Sequence, residues 1–293
     1  MSKKATAQFW DTAHRYLGHQ LKVIRQVSSH TIDSYRDCLN SFIDYLERVE
    51  NISRKKISFH DFGKETIKRY QTWMITEQGL APKTCNLRLT AIRSFLEYAA
   101  QEYLWLMPVY TDACTIAGVK TPNHAIEYFE PDEMTALLAA PSGTSRTDRR
   151  NQMMLIFLYD TAARVAEARQ VKVSDLHLDA GVPYVTLLGK GRKYRNIPLM
   201  EKTVLHLKRY LKDFHRSDPK TDLPLFYAKA HGLLHELSSD TFEKMIKRYA
   251  EQCREGGYPM PDRVHCHMIR KTRAMDLYRE GVPLPHIQQL LGH

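Results

Sequence analysis

Residues 265–293 read HCHMIRKTRAMDLYREGVPLPHIQQLLGH and combine two helical segments with several cations and imidazoles. His267 and Arg270 lie three positions apart, so a helix presents both side chains on one face. The segment Pro285–Gly292 predicts a second, short helix that its glycine ends. His293 follows just beyond the C-terminus of that helix. The stretch therefore offers cations and imidazoles with which a phosphate can be held.

His265, Cys266 and His267 alternate potential metal ligands within the same stretch. Adjacent residues rarely point at one ion, and no second pair of ligands has a suitable spacing. We therefore expect no metal site.

Upstream, residues 187–199 read LLGKGRKYRNIPL, in which a glycine-rich turn joins two β-rich runs. The runs Pro183–Leu188 and Tyr194–Leu199 predict the strands of a hairpin, because the glycines permit a tight reversal. A further β-rich run covers Gln170–Val173. Lys190 lies between two glycines and can reach into a groove or an active site, although an exposed basic hairpin explains the pattern equally well. A nucleotide-binding loop is a weaker interpretation, since the spacing is not GxxxxGK[ST] and a strand follows instead of a helix.

Farther upstream, residues 160–168 read DTAARVAEA and bring Arg164 and Glu167 onto one helical face. Taken alone, such a pair is usually a surface ion pair that contributes less than about 1 kcal/mol. Helical patterns over Pro131–Ala139 and Arg149–Tyr159 precede it. These segments predict a second domain that begins with helices.

The first hundred residues are helical in pattern. Apolar residues recur at steps of three and four over residues 5–103, which predicts four helices packed as a small bundle. One helix starts at Ser29 as its N-cap, and another lies between Gly63 and Gly79. The last, Pro82–Ala100, has a core stripe of Cys85, Leu89, Ile92, Leu96 and Ala99.

The other face of the Pro82–Ala100 helix carries short polar groups and cations. Such a face has the right shape for the major groove of DNA, although most faces of this kind are merely solvated. We predict that Lys83, Asn86, Thr90 and Arg93 contact DNA.

Residues 104–128 interrupt the helical periodicity with Pro108, Gly118 and Pro122 and are predicted to form a linker. After the hairpin, from about residue 200, the pattern is helical again. The sequence thus predicts two helical domains, the second of which contains a small β-sheet.

Composition agrees with two cytoplasmic domains that bind a polyanion. The 293 residues are 43% hydrophobic, and the net charge of +10 is shared about equally between the two halves, although ordinary solubility charge is an alternative. The five cysteines are scattered without a CxxC pair, which argues against a disulfide framework or a zinc ribbon. The longest apolar run, Met153–Tyr159, is too short to cross a bilayer, and the N-terminus lacks the apolar core of a signal peptide. We expect no membrane partner.

Four motifs occur in one order: TAARVAEA, the lysine hairpin GKGRKYRNIPL, the HxxR helix HMIRKTRAMDLYREGV and the final LPHIQQLLGH. In order and spacing they resemble the catalytic domain of the tyrosine recombinases, the phage-integrase family, in its Xer-like and mobile-element branches. The segment YFEPDEMTALL is similar to the one that opens this domain, and residues 5–115 resemble its helical core-binding domain. The resemblance covers nearly the whole chain, and four motifs together are highly specific.

The resemblance implies a mainly α-helical fold with a small antiparallel β-sheet. It implies a helical, SAM-like core-binding domain at residues 1–115, a linker at 116–128 and a catalytic domain at 129–293. Family members act without a metal ion or another cofactor, so none is expected here.

The family's phosphate ligands correspond to three residues of this sequence. Arg164, Arg270 and His293 would bind the scissile phosphodiester, where planar guanidinium groups hold its non-bridging oxygens. Glu167 would support the site without performing chemistry.

The family's proton transfers fall to two further residues. Lys190 would protonate the departing 5′ oxygen, and His267 would orient or deprotonate the nucleophilic tyrosine. Arg192, in the same hairpin as the lysine, is expected to contact DNA.

The sequence departs from the family pattern at its end. The family places its tyrosine several residues after the LLGH histidine, whereas this sequence ends at His293, so we expect a truncated version that does not cleave DNA. Two smaller departures are Ala162-Ala163, where a glycine commonly precedes the arginine, and Lys271, where a second histidine often follows HxxR. Neither removes a catalytic group.

By resemblance, the function is that of a site-specific recombinase, an integrase or transposase of a mobile element that forms a 3′-phosphotyrosyl intermediate. Its expected partners are double-stranded DNA with inverted-repeat core sites and further copies of itself, as a dimer on each site and a tetramer in the synapse. One alternative is a DNA-binding protein with a recombinase fold that does not cut. Another is a type IB topoisomerase, which shares the arginine, lysine and histidine set but relaxes DNA as a monomer.

Overall fold

The computed structural model describes residues 3–122, 125–141, 143–189, 191, 193–215, 222–230 and 233–292. The chain divides into two compact units, Met1–His124 and Ala125–His293. Helices make up most of the described residues, and short antiparallel strands occur in the second unit. The predicted fold class, mainly α with a small antiparallel sheet, is confirmed.

The first unit is a bundle of α-helices. They are α1 (Lys3–Arg15), α2 (Ser29–Arg48), α3 (Lys64–Thr76), α4 (Pro82–Glu102) and α5 (Met107–Thr115). A π-helical segment, Tyr16–Ile24, continues α1. The N-cap of α2 is Ser28, whose side chain accepts a hydrogen bond from the Thr31 backbone, so the predicted cap at Ser29 was wrong by one residue. Two adjacent serines give the same capping signal, and only the backbone geometry chooses between them.

Aromatic side chains fill the core of this unit. The five residues of the predicted α4 stripe are all buried. Phe42 packs edge-to-face on Phe62 with ring centroids 4.8 Å apart, and Phe95 and Phe9 are likewise in edge-to-face contact. The predicted helical faces are therefore the ones that form the core.

Helix α5 lies where the sequence predicted a linker. It runs from Met107 to Thr115, packs against α4 and buries Ala113. Pro108 was taken as a break in the pattern, but it stands in the first turn of α5, where proline is compatible with a helix. The linker prediction for residues 104–128 was therefore wrong over this helix.

The second unit contains the remaining elements. They are α6 (Pro131–Ala139), α7 (Arg146–Thr161), α8 (Val165–Gln170), β1 (Leu176–His177), β2 (Tyr184–Leu188), β3 (Tyr194–Pro198), α9 (Glu201–His215), β4 (Tyr227–Ala230), β5 (Leu233–Glu236), α10 (Ser239–Glu255), α11 (Cys266–Arg279) and α12 (Leu284–Leu291). Antiparallel pairing joins β1, β2 and β3 in that order, and β4 pairs with β5. The predicted hairpin is confirmed as β2 and β3, in which Leu187 lies opposite Arg195.

Two strand predictions were wrong. The run Gln170–Val173 ends α8 and enters a 3-10 turn, with a single bridge between Lys172 and Pro224. The pair β4 and β5 arises where a helix was predicted. All four residues of β5 are exposed, so the strand has no apolar–polar alternation that a sequence pattern can detect.

Helix α7 is central to the second unit. It is buried on most sides and packs against α9 and α11. Its last residue is followed by Ala162 in the left-handed conformation, with φ +48°. The chain turns sharply there and enters α8 at Arg164.

None of the described helices combines the length and the apolar character that crossing a membrane requires.

Candidate active site

Arg164 and Glu167 are joined twice at the start of α8. Arg164 is the N-cap residue, and its backbone N–H donates to Glu167 Oε2 over 2.8 Å. Its side-chain Nη1 donates to Glu167 Oε1, also over 2.8 Å. Glu167 is only 4% exposed, whereas the Arg164 side chain is 33% exposed. The pair is therefore a half-buried feature of the site instead of the surface ion pair that its spacing also allowed.

Arg195, on β3, is a third partner in this network, and the sequence interpretation missed it. Its Nη1 and Nη2 donate to the two carboxylate oxygens of Glu167 at 2.9 and 2.7 Å, and its Nε donates to the Leu290 carbonyl at 3.0 Å. A signal existed in the sequence. Arg195 lies two positions before the buried Ile197, so both side chains are on the inward face of β3, where a cation is unusual.

Arg270, on α11, is the most buried of the cations at 3% exposure. Its Nη1 donates to the Ala162 carbonyl at 2.7 Å and its Nη2 to the Leu291 carbonyl at 2.5 Å. The left-handed turn after α7 thus directs a backbone oxygen at this guanidinium. Arg270 connects that turn to the end of α12.

The C-terminus of α12 brings the three arginines together. The last carbonyls of a helix have no partner within the helix and carry a partial negative charge, which cations stabilise. Leu290, Leu291 and Gly292 accept hydrogen bonds from Arg195, Arg270 and Arg164 respectively, the last over a long 3.5 Å. Three segments far apart in the sequence therefore converge on one helix end.

The charges in this cluster do not cancel. Burial raises the pKa of Glu167, but the hydrogen bonds from Arg195 and Arg164 outweigh it and bring the pKa to about 2. Burial, and then the nearby charge of Arg164, lower the pKa of Arg270 to about 10, which keeps it protonated at neutral pH. One carboxylate thus faces three guanidinium groups, and the excess positive charge suits an anion.

His267 begins the helix that carries Arg270, and its side chain is exposed. Desolvation, then the charges of Arg270 and Lys271, lower the pKa of its imidazole. A neutral imidazole can accept a proton at neutral pH. Its neighbour Cys266 is buried, so the two side chains of the sequence alternation point to different surroundings.

Lys190, Arg192 and His293 lie outside the described residues, and the roles expected of them stay predictions. The described residues at the base of the hairpin turn are hydrogen-bonded to each other. The Gly189 backbone N–H donates to the Lys193 carbonyl at 2.8 Å, which closes the hairpin turn.

The predicted DNA-contacting face of α4 is only partly available. The amide of Asn86 donates to the Val119 carbonyl at 2.9 Å and accepts from the Val119 backbone N–H at 2.8 Å. Arg93 donates to the carbonyls of Ala113 and Ile116. Lys83 and Thr90 are exposed.

The polar groups of Asn86 and Arg93 thus hold the chain after α4 in place, and their contact with DNA stays a prediction. Opposition to a core stripe was the only basis for it, and that pattern does not show that α5 covers the face.

Comparisons with known proteins agree with this geometry. The model of the phage integrase family matches residues 127–293, and the model of the phage integrase N-terminal SAM-like domain matches residues 14–103. The chain therefore belongs to the phage integrase family. It is a site-specific recombinase of the tyrosine type.

Individual relatives span most of the chain. A tyrosine recombinase XerD of Halalkalibacterium halodurans is 32% identical, over 94% of this chain and 87% of that protein. A putative integrase/recombinase, y4rC, of Sinorhizobium fredii is 30% identical, over 92% of this chain and 79% of that protein.

Two solved structures show the same fold at low identity. One is the XerH site-specific recombinase bound to a palindromic difH substrate, with a TM-score of 0.70 and 22% identity over 92% of this chain and 74% of that one. The other is a lambda integrase tetramer bound to a Holliday junction, with a TM-score of 0.70 and 17% identity over 97% and 76%.

Proposed function

We propose that the protein is the recombinase of a mobile element, an integrase or transposase, which cleaves and rejoins double-stranded DNA through a 3′-phosphotyrosyl intermediate. The observation that carries the proposal is the convergence of Arg164 and Arg270 on the end of α12 in a cluster with excess positive charge. Such a cluster suits a phosphodiester, because a planar guanidinium matches the geometry of its oxygens.

The two arginines bind the non-bridging oxygens of the scissile phosphate. Charge accumulates on those oxygens as the tyrosine oxygen attacks phosphorus, so fixed cations stabilise the transition state more than the ground state. Arg164 is partly exposed, so a phosphate can approach it from solvent. Arg270 is buried and contacts the phosphate from the floor of the site. Glu167 orients Arg164 and makes no contact with DNA.

Two proton transfers complete the step. The neutral imidazole of His267 accepts the tyrosine proton, in agreement with its lowered pKa, and Lys190 donates a proton to the 5′ oxygen as the P–O5′ bond breaks. His293 adds a further hydrogen bond to the phosphate. In the second step a 5′-hydroxyl of another strand attacks the phosphotyrosine and releases the enzyme, so no external energy source is consumed.

The partner is DNA with inverted-repeat core sites, bound by one dimer at each site and by a tetramer in the synapse. Relatives support this: XerH was solved with its palindromic difH substrate, the Tn1549 transposon integrase with a circular intermediate DNA, and lambda integrase as a tetramer on a Holliday junction. Residues 1–115 form the core-binding domain, residues 116–128 the linker and residues 129–293 the catalytic domain. The integrase relative y4rC supports a role in a mobile element.

The experiment uses the protein expressed from its complete reading frame. It is incubated with nicked suicide duplexes from the DNA that flanks its gene, and covalent protein–DNA adducts are separated on a denaturing gel. Peptide mapping of the adduct identifies the attacking tyrosine. We expect an adduct with the wild type and with Arg149→Gln, a control in which a solvent-exposed pair with Asp213 is lost, and none with Arg164→Gln.

The other outcomes decide between the classes of protein. Tight binding of DNA without any adduct would contradict the proposal and indicate a non-catalytic DNA-binding protein. An adduct whose only product is relaxed plasmid, formed by a monomer, would indicate a topoisomerase instead.

A further inference from the structure

We propose that Arg195 is a positioning residue for strand cleavage, which fixes Glu167 and the end of α12 relative to each other and does not itself bind the phosphate. The inference deepens the proposed function and rests on it. Arg195 lies on β3 and is not one of the residues to which the four motifs assign a catalytic role.

The contacts of Arg195 are directed into the protein. Its guanidinium grips both oxygens of Glu167 and the Leu290 carbonyl, so three of its five N–H donors are used by groups of the chain. Its side chain is 13% exposed. Because it holds both carboxylate oxygens of Glu167 and a helix-end carbonyl at once, Arg195 is a fixed part of the site.

Two glycines leave space for this guanidinium. A Cβ atom added at Gly189 or at Gly292 would lie 3.1 Å from Arg195 Nη1, which is tighter than ordinary contact. Gly189 starts the hairpin turn and Gly292 ends α12, with φ +69°. A side chain at either glycine would therefore require Arg195 or the backbone to shift by a few tenths of an ångström.

This arrangement makes Arg195 the connection between three motifs. It stands on the second strand of the hairpin, pairs with the carboxylate that holds Arg164, and bonds the helix end that also accepts from Arg270. Only a planar fork can grip a carboxylate with two nitrogens while a third bonds a carbonyl. Lysine keeps the charge but cannot make these contacts together.

The first test compares Arg195→Gln and Arg195→Lys with the wild type in single-turnover adduct formation at saturating DNA. Misplacement of a site by about 1 Å costs on the order of 10²-fold in rate, so we expect a loss of that order for Arg195→Gln and a partial recovery for Arg195→Lys. The dissociation constant for DNA should change by less than about threefold, since no phosphate contact is lost. The control is again Arg149→Gln.

The second test asks whether Arg195 acts through Glu167. If it does, the double variant Glu167→Gln/Arg195→Gln is no slower than Arg195→Gln alone, because residues that work as a unit are not additive. The pH profile gives a further readout. In Arg195→Gln the charges of Arg164 and Arg270 remain around Glu167, but the hydrogen bonds from Arg195 that lower its pKa are lost. The rate of this variant should therefore show a second acid titration, that of Glu167, in addition to the titration of His267 that it shares with the wild type.

A third variant covers the case in which Arg195→Gln does not fold. Gly292→Ala keeps every charge but pushes a methyl group against Arg195 in a left-handed position, and it should also slow cleavage at saturating DNA. Unchanged cleavage in the folded variants would overturn the inference, as would a loss that appears only as weaker DNA binding. If the wild type itself forms no adduct, the proposed function fails, which is a different result.

Discussion

Arginine side chains bond the end of a helix in both units, but with different consequences. In the first unit Arg93 donates to the carbonyls of Ala113 and Ile116, at the end of α5. In the second unit Arg195 and Arg270 donate to the carbonyls of Leu290 and Leu291, at the end of α12. The local interaction is the same.

The difference lies in what surrounds the helix end. Around α12 the guanidinium groups of Arg164 and Arg195 share one buried carboxylate, Glu167, and Arg270 adds a third positive charge. Arg93 donates hydrogen bonds to the end of α5, which covers the face of α4 on which Arg93 was predicted to meet DNA. In the first unit the arginine at the helix end therefore has a structural role, whereas in the second unit the arginines at the helix end belong to a candidate phosphate site.

Lysine substitutions at Arg270 and at Arg93 should differ most in their effect on the rate of adduct formation. Arg270→Lys should lower the rate of adduct formation by about 10²- to 10³-fold, because the charge remains but the fork that bonds Ala162 and Leu291, and that we propose binds the phosphate, is lost. Arg93→Lys should leave that rate within about threefold of the wild type. Single-turnover gels measure both. Equal losses in the two variants would mean that the helix ends have the same role.

Glu167→Gln tests the carboxylate that distinguishes the second site. Since a buried hydrogen-bonded charge is lost, we expect the free energy of unfolding to fall by about 1–3 kcal/mol at pH 7. The pKa of Glu167 falls from an ordinary 4.5 to about 2 on folding, so its contribution is complete above about pH 4.5 and is lost as the pH falls toward 2. Denaturant titrations at several pH values should show the difference between variant and wild type shrinking over that range. A difference that is constant down to pH 2 would contradict the ion-pair assignment.

Arg93→Ala tests the role of the arginine at the helix end of the first unit. Because two carbonyls lose a charged donor, unfolding should become easier by about 1–2 kcal/mol. The salt dependence of DNA binding should keep its slope, whereas loss of a phosphate contact would reduce the slope by about 1. Lys83→Ala is the matched variant on the same helix, since that side chain is exposed. If Arg93→Ala reduces the slope and Lys83→Ala does not, Arg93 contacts DNA as the sequence predicted.

The smallest effect concerns the backbone corner whose carbonyl meets Arg270. A left-handed alanine costs about 1–2 kcal/mol, while glycine adds about 0.5–1 kcal/mol of chain entropy. Ala162→Gly should therefore be neutral or stabilise by up to about 1.5 kcal/mol. Ala163 has no positive φ, so Ala163→Gly should destabilise by about 0.4–1 kcal/mol through the greater entropy of the unfolded chain. Urea denaturation of the two variants tests the difference, and an equal loss in both would argue against strain at Ala162.

Much of the second unit follows from short patterns. The hairpin, α6 and the short last helix were predictable because turn glycines and apolar periodicity act locally. Arg164 and Arg270 were identified by resemblance. Arg270 lies on a helix as its motif predicts, whereas Arg164 directly precedes α8 as its N-cap residue.

Other features depend on packing between segments that are distant in the sequence. Asn86 and Arg93 carry the same pattern as a solvated or DNA-binding face, and only the covering segment shows where their hydrogen bonds go. Arg195 was missed because its partners, Glu167 and Leu290, lie 28 and 95 positions away. A motif names the residues that meet a substrate but not the residue that holds them together.

The convergence of the arginines on α12 also sets an order of events during synthesis. Hydrogen bonds in the cluster join residues 95, 108 and 128 positions apart, and such non-local contacts form late because loop closure must come first. Chains grow from the N-terminus, so the first unit can fold while the second is still being made. The arginines gain their shared helix end only after residues 290–292 have left the ribosome, and a nascent chain therefore holds no assembled site with which to attack DNA.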